Sequence, residues 1–218
     1  MYGHTSMTIC MGLDLSLISP GIAVYNTSSH AWILYGFAQR VREQGLQTQQ
    51  DSTMICMLPP IPNTRTTTNE ERYEHIRHHI IETIMSPFRH ELDVVVGIES
   101  YAFGAKNSGS SYKLQELGGV LKHSVWKHYP KWTQEIIPPT KWKKQIVGAG
   151  RATKSDIVEY VRTHGPCVAL LDILGLEVSK TGNIPCPVQD LADASCICLS
   201  VTKSPAEVGS SDIMKDIR

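Results

Sequence analysis

Four carboxylates stand where predicted strands end or a predicted helix begins, and such positions bring side chains together for chemistry. Asp14 follows the apolar run 8–13, and Glu99 ends the apolar run in DVVVGIE. Asp190 and Asp193 open the last predicted helix three residues apart, so both side chains leave the same face. A carboxylate at a buried strand end is costly unless a charged group meets it. If the first and fourth strands are neighbours, and the last helix packs at their ends, the four acids form one cluster.

A cluster of like charges is unfavourable unless protons or cations neutralise it. Carboxylate oxygens are hard ligands that suit Mg²⁺ or Mn²⁺. Two such ions about 4 Å apart would clamp an in-line displacement at phosphorus, one activating water and the other stabilising the departing oxygen. The spacing therefore indicates a metal-dependent site for phosphodiester chemistry.

Two other interpretations of these residues stay open on spacing alone. Asp190 and Asp193 would also serve as favourable charges in the first turn of a helix, and Asp14 as an ordinary turn residue. The segment GLDLSLISPGIAVY also resembles the phosphate-binding hairpin of actin-like ATPases. Those proteins close two lobes over a nucleotide, and 218 residues are too few for two large lobes.

The composition is that of one folded domain. Hydrophobic residues make up 41% of the chain and charged residues 19%, which is ordinary for a globular protein. No stretch approaches the roughly 20 apolar residues of a membrane span, and the N-terminus lacks the basic flank and apolar core of a leader. We expect a soluble, intracellular protein that is not secreted, with one domain over residues 1–203 and a tail over 204–218.

A basic segment lies inside a chain whose formal net charge is zero. Between positions 106 and 154 the chain has ten lysines and arginines and two acids, Glu116 and Glu135. The ten are Lys106, Lys113, Lys122, Lys127, Lys131, Lys141, Lys143, Lys144, Arg151 and Lys154. Zero net charge argues against indiscriminate binding to nucleic acid, whereas the basic segment predicts local contacts to phosphate.

The cysteines and histidines give weaker signals. The six cysteines include no CxxC pair, which indicates free thiols in a reducing compartment, not a zinc site or a disulfide framework. Cys196 and Cys198 lie in an apolar helical run, where they would act as small core residues. His75 and His79 are spaced i,i+4 on a predicted helix, but no Glu or Asp stands in metalloprotease spacing, so a solvated helix face is favoured.

The order of the predicted elements defines the fold class. Three early strands joined by short turns predict an antiparallel meander, and the later alternation of helices and strands requires crossover connections. The predicted fold is α/β, a five-stranded mixed sheet flanked by helices. The first predicted helix begins with the capping box Thr68-x-x-Glu71. The predicted strands are 8–13, 21–26, 31–41, 93–98 and 133–139; the helices are 69–85, 112–128, 140–147, 154–164 and 190–201; and the loops are 42–69, 104–111 and 165–189.

Four segments, in order, resemble the motifs of RuvC-type Holliday junction resolvases, which belong to the RNase H-like superfamily. The first two are GLDLSLISPGIAVY and IESYAFGAKNSGSSYKLQELGGVL, the latter with the family's AKN element and Leu-Gly helix. The third is PPTKWKKQIVGAGRATKSDIVEYV and the fourth is QDLADASCICLSVT, an Asp-x-x-Asp helix of small residues. The likeness extends over most of residues 8–202 and implies the RNase H-like fold.

The resemblance implies roles for individual residues. The four acids match the family's catalytic and metal-binding carboxylates, and Lys143 and Lys154 match its functional lysines. Contacts to DNA are implied for the neighbouring basic residues, and an aromatic that wedges into the junction centre is implied near the second motif. These implied DNA-binding residues are Tyr101, Phe103, Lys106, Lys141, Lys143, Lys144, Arg151 and Lys154.

The resemblance also implies an activity and partners. We expect a homodimeric endonuclease that uses two Mg²⁺ ions per site, with Mn²⁺ as a substitute, to nick opposed strands of a four-way DNA junction. The helix 112–128 is the expected dimer interface, no membrane partner is expected, and a helicase or recombination partner is left unspecified.

The chain departs from bacterial members at Leu15 and Ser16, where Pro-Gly is usual, and in its longer loops, which indicates a divergent, viral or phage-type lineage. Two alternatives to a junction-resolving endonuclease stay open: a broader branched-DNA or flap nuclease of the same fold, and a non-catalytic junction-binding scaffold.

Overall fold

The protein folds around a mixed sheet of seven strands, in a computed structural model that describes residues 8–38, 45, 47–100, 109–164 and 186–202. The strands are β1 (Ile9–Asp14), β2 (Gly21–Asn26), β3 (Ala31–Phe37), β4 (Gln47–Gln50), β5 (Thr53–Leu58), β6 (Val94–Glu99) and β7 (Thr133–Ile137). Their order across the sheet is β4, β5, β3, β2, β1, β6, β7. The mixed α/β class is confirmed, and the predicted number of five strands is wrong.

The meander and the crossover connections agree with the sequence pattern. Strands β1, β2 and β3 pair antiparallel in succession. Strand β6 lies parallel to β1, with Ile9 opposite Val94 and Leu13 opposite Ile98, and β7 lies parallel to β6. The first and fourth predicted strands are therefore neighbours, and their carboxyl ends reach the same edge of the sheet.

The two additional strands come from the segment 42–69, which was predicted to be a loop. Strand β5 pairs parallel with β3, and β4 pairs antiparallel with β5 through a tight turn in which Asp51 has φ 50°. Strand β4 has the sequence QTQQ and is mostly exposed, so it has no apolar side to signal a strand. A polar edge strand of this kind forms because its partner strand supplies the hydrogen bonds.

The helices are α1 (Asn69–His78), α2 (Gly109–His128), α3 (Pro139–Ile146), α4 (Lys154–His164) and α5 (Val188–Thr202). Helix α1 begins with the predicted capping box, since Thr68 Oγ1 accepts from the Glu71 backbone N–H and Glu71 Oε2 accepts from that of Thr68. It continues into a π-helical segment, His79–Met85, and a 3₁₀ turn, Ser86–Phe88. None of the described helices is long and apolar enough to cross a membrane.

The helices cover both faces of the sheet, so the alternating residues of β1 enter two different cores. Met11 and Leu13 pack with apolar residues of α1, the π-helical segment and α2. Cys10, on the other face, packs with Trp142 of α3 and Ala194 of α5, among others. Four of the described cysteines are buried and Cys186 is exposed, and no disulfide joins any two of these five.

Helix α5 lies directly on the backbone of the sheet because glycines face it. A Cβ at Gly12 would overlap the Ala194 carbonyl oxygen and the Cys198 amide nitrogen, and one at Gly21 would overlap the Asp190 carbonyl group. A Cβ at Gly97 would come within 2.9 Å of Val201 Cγ1. Only residues without a side chain permit this approach, so the glycines of β1 and β2 fix the height and position of α5.

We expect Gly12→Ala to lower the free energy of unfolding by about 2 kcal/mol or more, because the new methyl group overlaps the α5 backbone and forces the helix outward. Urea unfolding followed by circular dichroism measures this. Gly119→Ala in α2 is the matched control, since a Cβ there meets no atom within 4 Å and alanine favours a helix. Equal stability of Gly12→Ala and the wild type would contradict the close contact.

Candidate active site

The site begins with two carboxylates on adjacent parallel strands. Asp14 ends β1 and Glu99 ends β6, each one residue beyond the paired positions Leu13 and Ile98. The two carboxyl groups lie close enough to share a proton. Two carboxylates this close cannot both ionise freely unless a cation lies between or beside them.

Helix α5 brings the other two acids to the same sheet edge. The Asp190 backbone lies on Gly21 and the Ala194 carbonyl lies on Gly12, so the first two turns of α5 cross the ends of β1 and β2. Asp193 Oδ2 accepts a long hydrogen bond, 3.5 Å, from Gln189 Nε2. The other oxygen of Asp193, Oδ1, and Oδ2 of Asp190 are buried without a hydrogen-bond partner among the described residues.

The four carboxyl groups all have raised pKa values, and burial is the main cause for each. The pKa of Asp14 lies well above its usual range because of burial and then because of the charges of Asp193, Glu99 and Asp190. Burial, followed by the charge of Glu99, raises the pKa of Asp193 to about 7. The pKa values of Glu99 and Asp190 are also raised by burial. In the absence of a cation this cluster therefore holds protons near neutral pH.

Helix α3 contributes two groups that act on Glu99. Trp142, which is only 1% exposed, donates from Nε1 to Glu99 Oε1 at 2.9 Å. Lys143 is half-buried, donates to the Ala152 carbonyl at 3.3 Å, and lies 5.4 Å from the centroid of the Trp142 ring. Its positive charge lowers the pKa values of Glu99 and Asp193, which partly offsets burial. Trp142 is not among the site residues predicted from the sequence, where its only signal is an aromatic inside the basic run KWKK.

Three groups from different elements surround Asp190. Lys154 begins α4 and its charge lowers the pKa of Asp190. Ser19, from the turn between β1 and β2, and Cys186, one turn before Asp190, also lower that pKa as nearby polar groups. The Ser19 hydroxyl, however, meets no described atom in hydrogen-bond geometry, so its contact with Asp190 is polar but is not a hydrogen bond.

The start of α4 is fixed by its own cap. The Asp156 backbone N–H donates to Thr153 Oγ1 at 3.3 Å, and the Thr153 backbone N–H donates to Asp156 Oδ2 at 2.8 Å. This reciprocal pair holds the first turn of the helix and thereby the backbone of Lys154. The cap explains why the lysine that faces Asp190 stands at a defined position although its side chain is exposed.

The other predicted DNA-binding residues differ in where they lie. Lys141 and Lys144 are exposed on α3, and Arg151 is exposed in the turn before α4. Tyr101, Phe103 and Lys106 lie outside the described residues. The structure therefore gathers the four acids with Lys143 and Lys154, and the roles of all these residues stay predictions.

The donor set suits a hard divalent cation. Four carboxylates with raised pKa values and two buried, unpartnered oxygens are groups that a cation would satisfy. Within the described part of the chain, no three His, Cys, Asp or Glu side chains already surround one point as ligands. The acids thus suit Mg²⁺ or Mn²⁺ by the chemistry of their oxygens and by their convergence at one sheet edge.

A cavity of about 230 Å³ lies beside Glu99 on the α2 side of the sheet. Its walls include Ser100 after β6, Ile136 of β7, and Gln115 and Lys122 of α2. The cavity is adjacent to the acid cluster and has one lysine in its lining. It belongs to the same site region and extends it toward α2.

Two solved structures resemble most of the chain. The structure of Thermus thermophilus RuvC is 20% identical and matches with a TM-score of 0.52, covering 88% of this chain and 92% of that one. T. thermophilus RuvC in complex with a Holliday junction substrate is also 20% identical, with a TM-score of 0.55, covering 93% of this chain and 96% of that one. No protein-family model and no curated protein matches the sequence. The resemblance to RuvC that the motifs predicted is confirmed at the level of the fold.

We expect Asp193→Asn to raise the free energy of unfolding of the metal-free protein near pH 8, by an amount on the order of a few kcal/mol. Because the folded-state pKa of Asp193 is raised from 3.8 to about 7, the wild type loses stability as pH rises through this interval. Asparagine removes that loss, so the difference should nearly vanish at about pH 3, below the unfolded pKa of 3.8.

Urea unfolding at both pH values, in EDTA, measures this difference. Glu135→Gln, an exposed carboxylate on β7, controls for the loss of one negative charge. Asp193→Asn being less stable than the wild type near pH 8 would show that Asp193 is not an unfavourably buried charge.

Proposed function

We propose that this protein is a structure-selective endonuclease that hydrolyses phosphodiester bonds at four-way DNA junctions with the help of divalent metal ions. The observation that carries the proposal is the convergence of Asp14, Glu99, Asp190 and Asp193, all with raised pKa values, at one edge of a RuvC-like sheet. A similar fold has been solved with a Holliday junction bound. The resemblance in fold supports four-way junctions as the substrate class, and the acid cluster supports hydrolysis over mere binding.

The four acids would hold two Mg²⁺ ions, or Mn²⁺ in their place, and such ions supply a nucleophilic water and charge stabilisation at phosphorus. The protein's own groups prepare this site. Trp142 fixes one oxygen of Glu99 by its hydrogen bond and leaves the other oxygen for coordination. Gln189 plays the same part for Asp193. These contacts reduce the reorganisation needed when the cation and the DNA bind.

Lys143 and Lys154 would contact the scissile or neighbouring phosphates, on which negative charge develops in the transition state. Both already act electrostatically on the acids, Lys143 on Glu99 and Asp193, and Lys154 on Asp190. The exposed Lys141, Lys144 and Arg151 would bind phosphates farther along the DNA arms. Lys106 and the aromatics Tyr101 and Phe103 are proposed for the junction centre on the motif resemblance alone.

A homodimer would match the two-fold symmetry of a four-way junction and would allow two opposed nicks. Helix α2 is the proposed interface. It exposes two large aromatic side chains, Tyr112 at 66% and Trp126 at 60%, on a helix whose other side packs against α1 and the sheet. Exposed aromatics of this size are typical of interface residues.

We expect Asp14→Asn and Glu99→Gln to retain junction binding and to lower the cleavage rate by at least about 10³-fold, because each removes a charged ligand of the metal. The assay incubates a labelled four-way junction with Mg²⁺ or EDTA, and a gel-shift assay in Ca²⁺ follows binding separately. Glu135→Gln is the matched control, since this exposed carboxylate lies on β7, outside the cluster.

Parallel reactions with a linear duplex, a Y-form and a flap define the substrate. Paired nicks on the junction alone support a junction resolvase. Equal cleavage of the other branched DNAs would favour the broader nuclease, and binding without any metal-dependent nick in the wild type would favour the scaffold and overturn the proposal.

We expect Lys154→Met to weaken junction binding and to reduce the slope of log affinity against log salt by about one, as the loss of one phosphate contact requires. Arg65→Met, an exposed arginine between β5 and α1 and outside the basic segment, is the control and should leave the slope unchanged. Fluorescence anisotropy over a series of KCl concentrations gives both slopes. An unchanged slope in Lys154→Met would remove this lysine from the DNA interface.

A further inference from the structure

Two histidine rings lie against each other where α1 passes into the π-helical segment. His75 is in the last turn of α1, His79 begins the π-helical segment, and the centroids of the two rings are 4.6 Å apart at an interplanar angle of 71°. The sequence favoured a solvated helix face for this pair. The structure differs, because both side chains are half-buried and their rings lie 6.1 and 5.8 Å from the ring of the fully buried Phe37.

Each of the two rings has a buried nitrogen atom without a partner. Nε2 of His75 and Nδ1 of His79 are shielded from solvent, and neither has a hydrogen-bond partner among the described residues. The two nitrogens therefore do not bond to each other either. Buried polar atoms are nearly always hydrogen-bonded, so two unpartnered nitrogens on adjacent rings mark a place where a ligand belongs.

The backbone holds these two histidines in a fixed relation. The His79 backbone N–H donates to the carbonyl oxygens of His75 and Ile76, so the helix continues through the pair. The i,i+4 spacing places both side chains on one face of the helix. Histidines at this spacing are a recurrent way for a helix to present two metal ligands, and π-helical turns are frequent at functional sites.

The separation of the rings suits an ion bound by both of them. An ion about 2.1 Å from a ring nitrogen lies about 3.2 Å from the centroid of that ring. Centroids 4.6 Å apart then subtend an angle of about 90° at the ion. This is the angle between neighbouring ligands in square-planar or octahedral coordination, which Cu²⁺ and Ni²⁺ adopt, whereas tetrahedral Zn²⁺ takes a wider angle.

The electrostatic surroundings also suit a cation. Burial lowers the pKa of His79 to about 4 and also lowers the pKa of His75, so both rings are neutral near pH 7. The neutral imidazole is the form that binds a metal ion. An open cavity of about 560 Å³ borders the pair, and its lining includes Glu70, Glu71 and Glu74 together with His75 and His78. Carboxylates in such a lining attract cations.

We propose that His75 and His79 together bind a late first-row divalent metal ion of the Ni²⁺ and Cu²⁺ class. Within the described residues no three His, Cys, Asp or Glu side chains surround one point, so the protein supplies two ligands and water completes the coordination. The bound ion would join α1 to the π-helical segment. This site is separate from the four acids, because α1 packs on the opposite face of the sheet from α5.

The test is a calorimetric titration of Ni²⁺ into the purified, tag-free full chain in saturating Mg²⁺, which occupies oxygen ligands and does not seek imidazole. We expect a saturable Ni²⁺ site whose affinity falls at least about tenfold in His75→Gln and in His79→Gln, because either change breaks the chelate. His78→Gln is the matched control, since His78 is exposed, lies on the same helix and borders the same cavity, and its affinity should equal that of the wild type.

A second measurement needs no variant to fold. In nuclear magnetic resonance spectra of the wild type, substoichiometric Ni²⁺ should broaden the ring signals of His75 and His79 before those of the other histidines. Ni²⁺ binding that is unchanged in a folded His75→Gln or His79→Gln variant, or the absence of selective broadening at these two rings, would overturn the proposal. Neither measurement involves DNA, so the result is independent of whether the protein is a nuclease.

Discussion

The contact between α5 and the glycines of β1 and β2 is the constraint on which the site depends. Gly12 and Gly21 have no Cβ, so the helix backbone rests on the sheet backbone instead of on a layer of side chains. Small residues on the helix, including Ala192 and Ala194, complete the fit, and Cys198 Sγ donates to the Cys10 carbonyl at 3.1 Å. A normal layer of side chains between helix and sheet would hold the α5 acids farther from β1. Because Gly12 and Gly21 have no Cβ, α5 holds its acids, Asp190 and Asp193, close to the acids that end β1 and β6.

That close contact brings four carboxyl groups together, and their mutual repulsion and burial are unfavourable in the absence of a cation. Four carboxyl groups share one partly buried sheet edge, and burial raises the pKa of each. Trp142, Lys143 and Lys154 supply partial compensation from α3 and α4. A site that is unfavourable as an apoprotein and complete with a cation is a common arrangement for metal-dependent catalysis, because the binding energy of the metal offsets the strain of assembling its ligands. The proposed cation would account for the two acid oxygens that have no hydrogen-bond partner among the described residues.

The sequence predicted those parts of the fold that depend on strong local signals. Strands β1 and β6 followed from apolar runs that end in acids, and the start of α1 followed from the capping box at Thr68. The adjacency of β1 and β6 was only a condition of the predicted acid cluster, and the structure supplies it. The hairpin of β4 and β5 was missed because β4 is polar and short, and its strand conformation depends on pairing with β5. The true start of α5 at Val188, two residues before Asp190, was also missed, as was the π-helical segment after His78. Such features are set by tertiary packing, which local periodicity does not encode.

For the site, the sequence identified the acids, and the structure added their surroundings. Trp142, Ser19 and Cys186 carry no local signal of a role, because each acts only through a neighbour that the fold brings close.

The most direct test of the account is a crystal structure of the protein grown near neutral pH with Mn²⁺ and measured for anomalous scattering. The account predicts anomalous peaks among Asp14, Glu99 and Asp193, with further density toward Asp190. An acid cluster that stays metal-free at saturating Mn²⁺, with its carboxyl groups paired by protons, would contradict it.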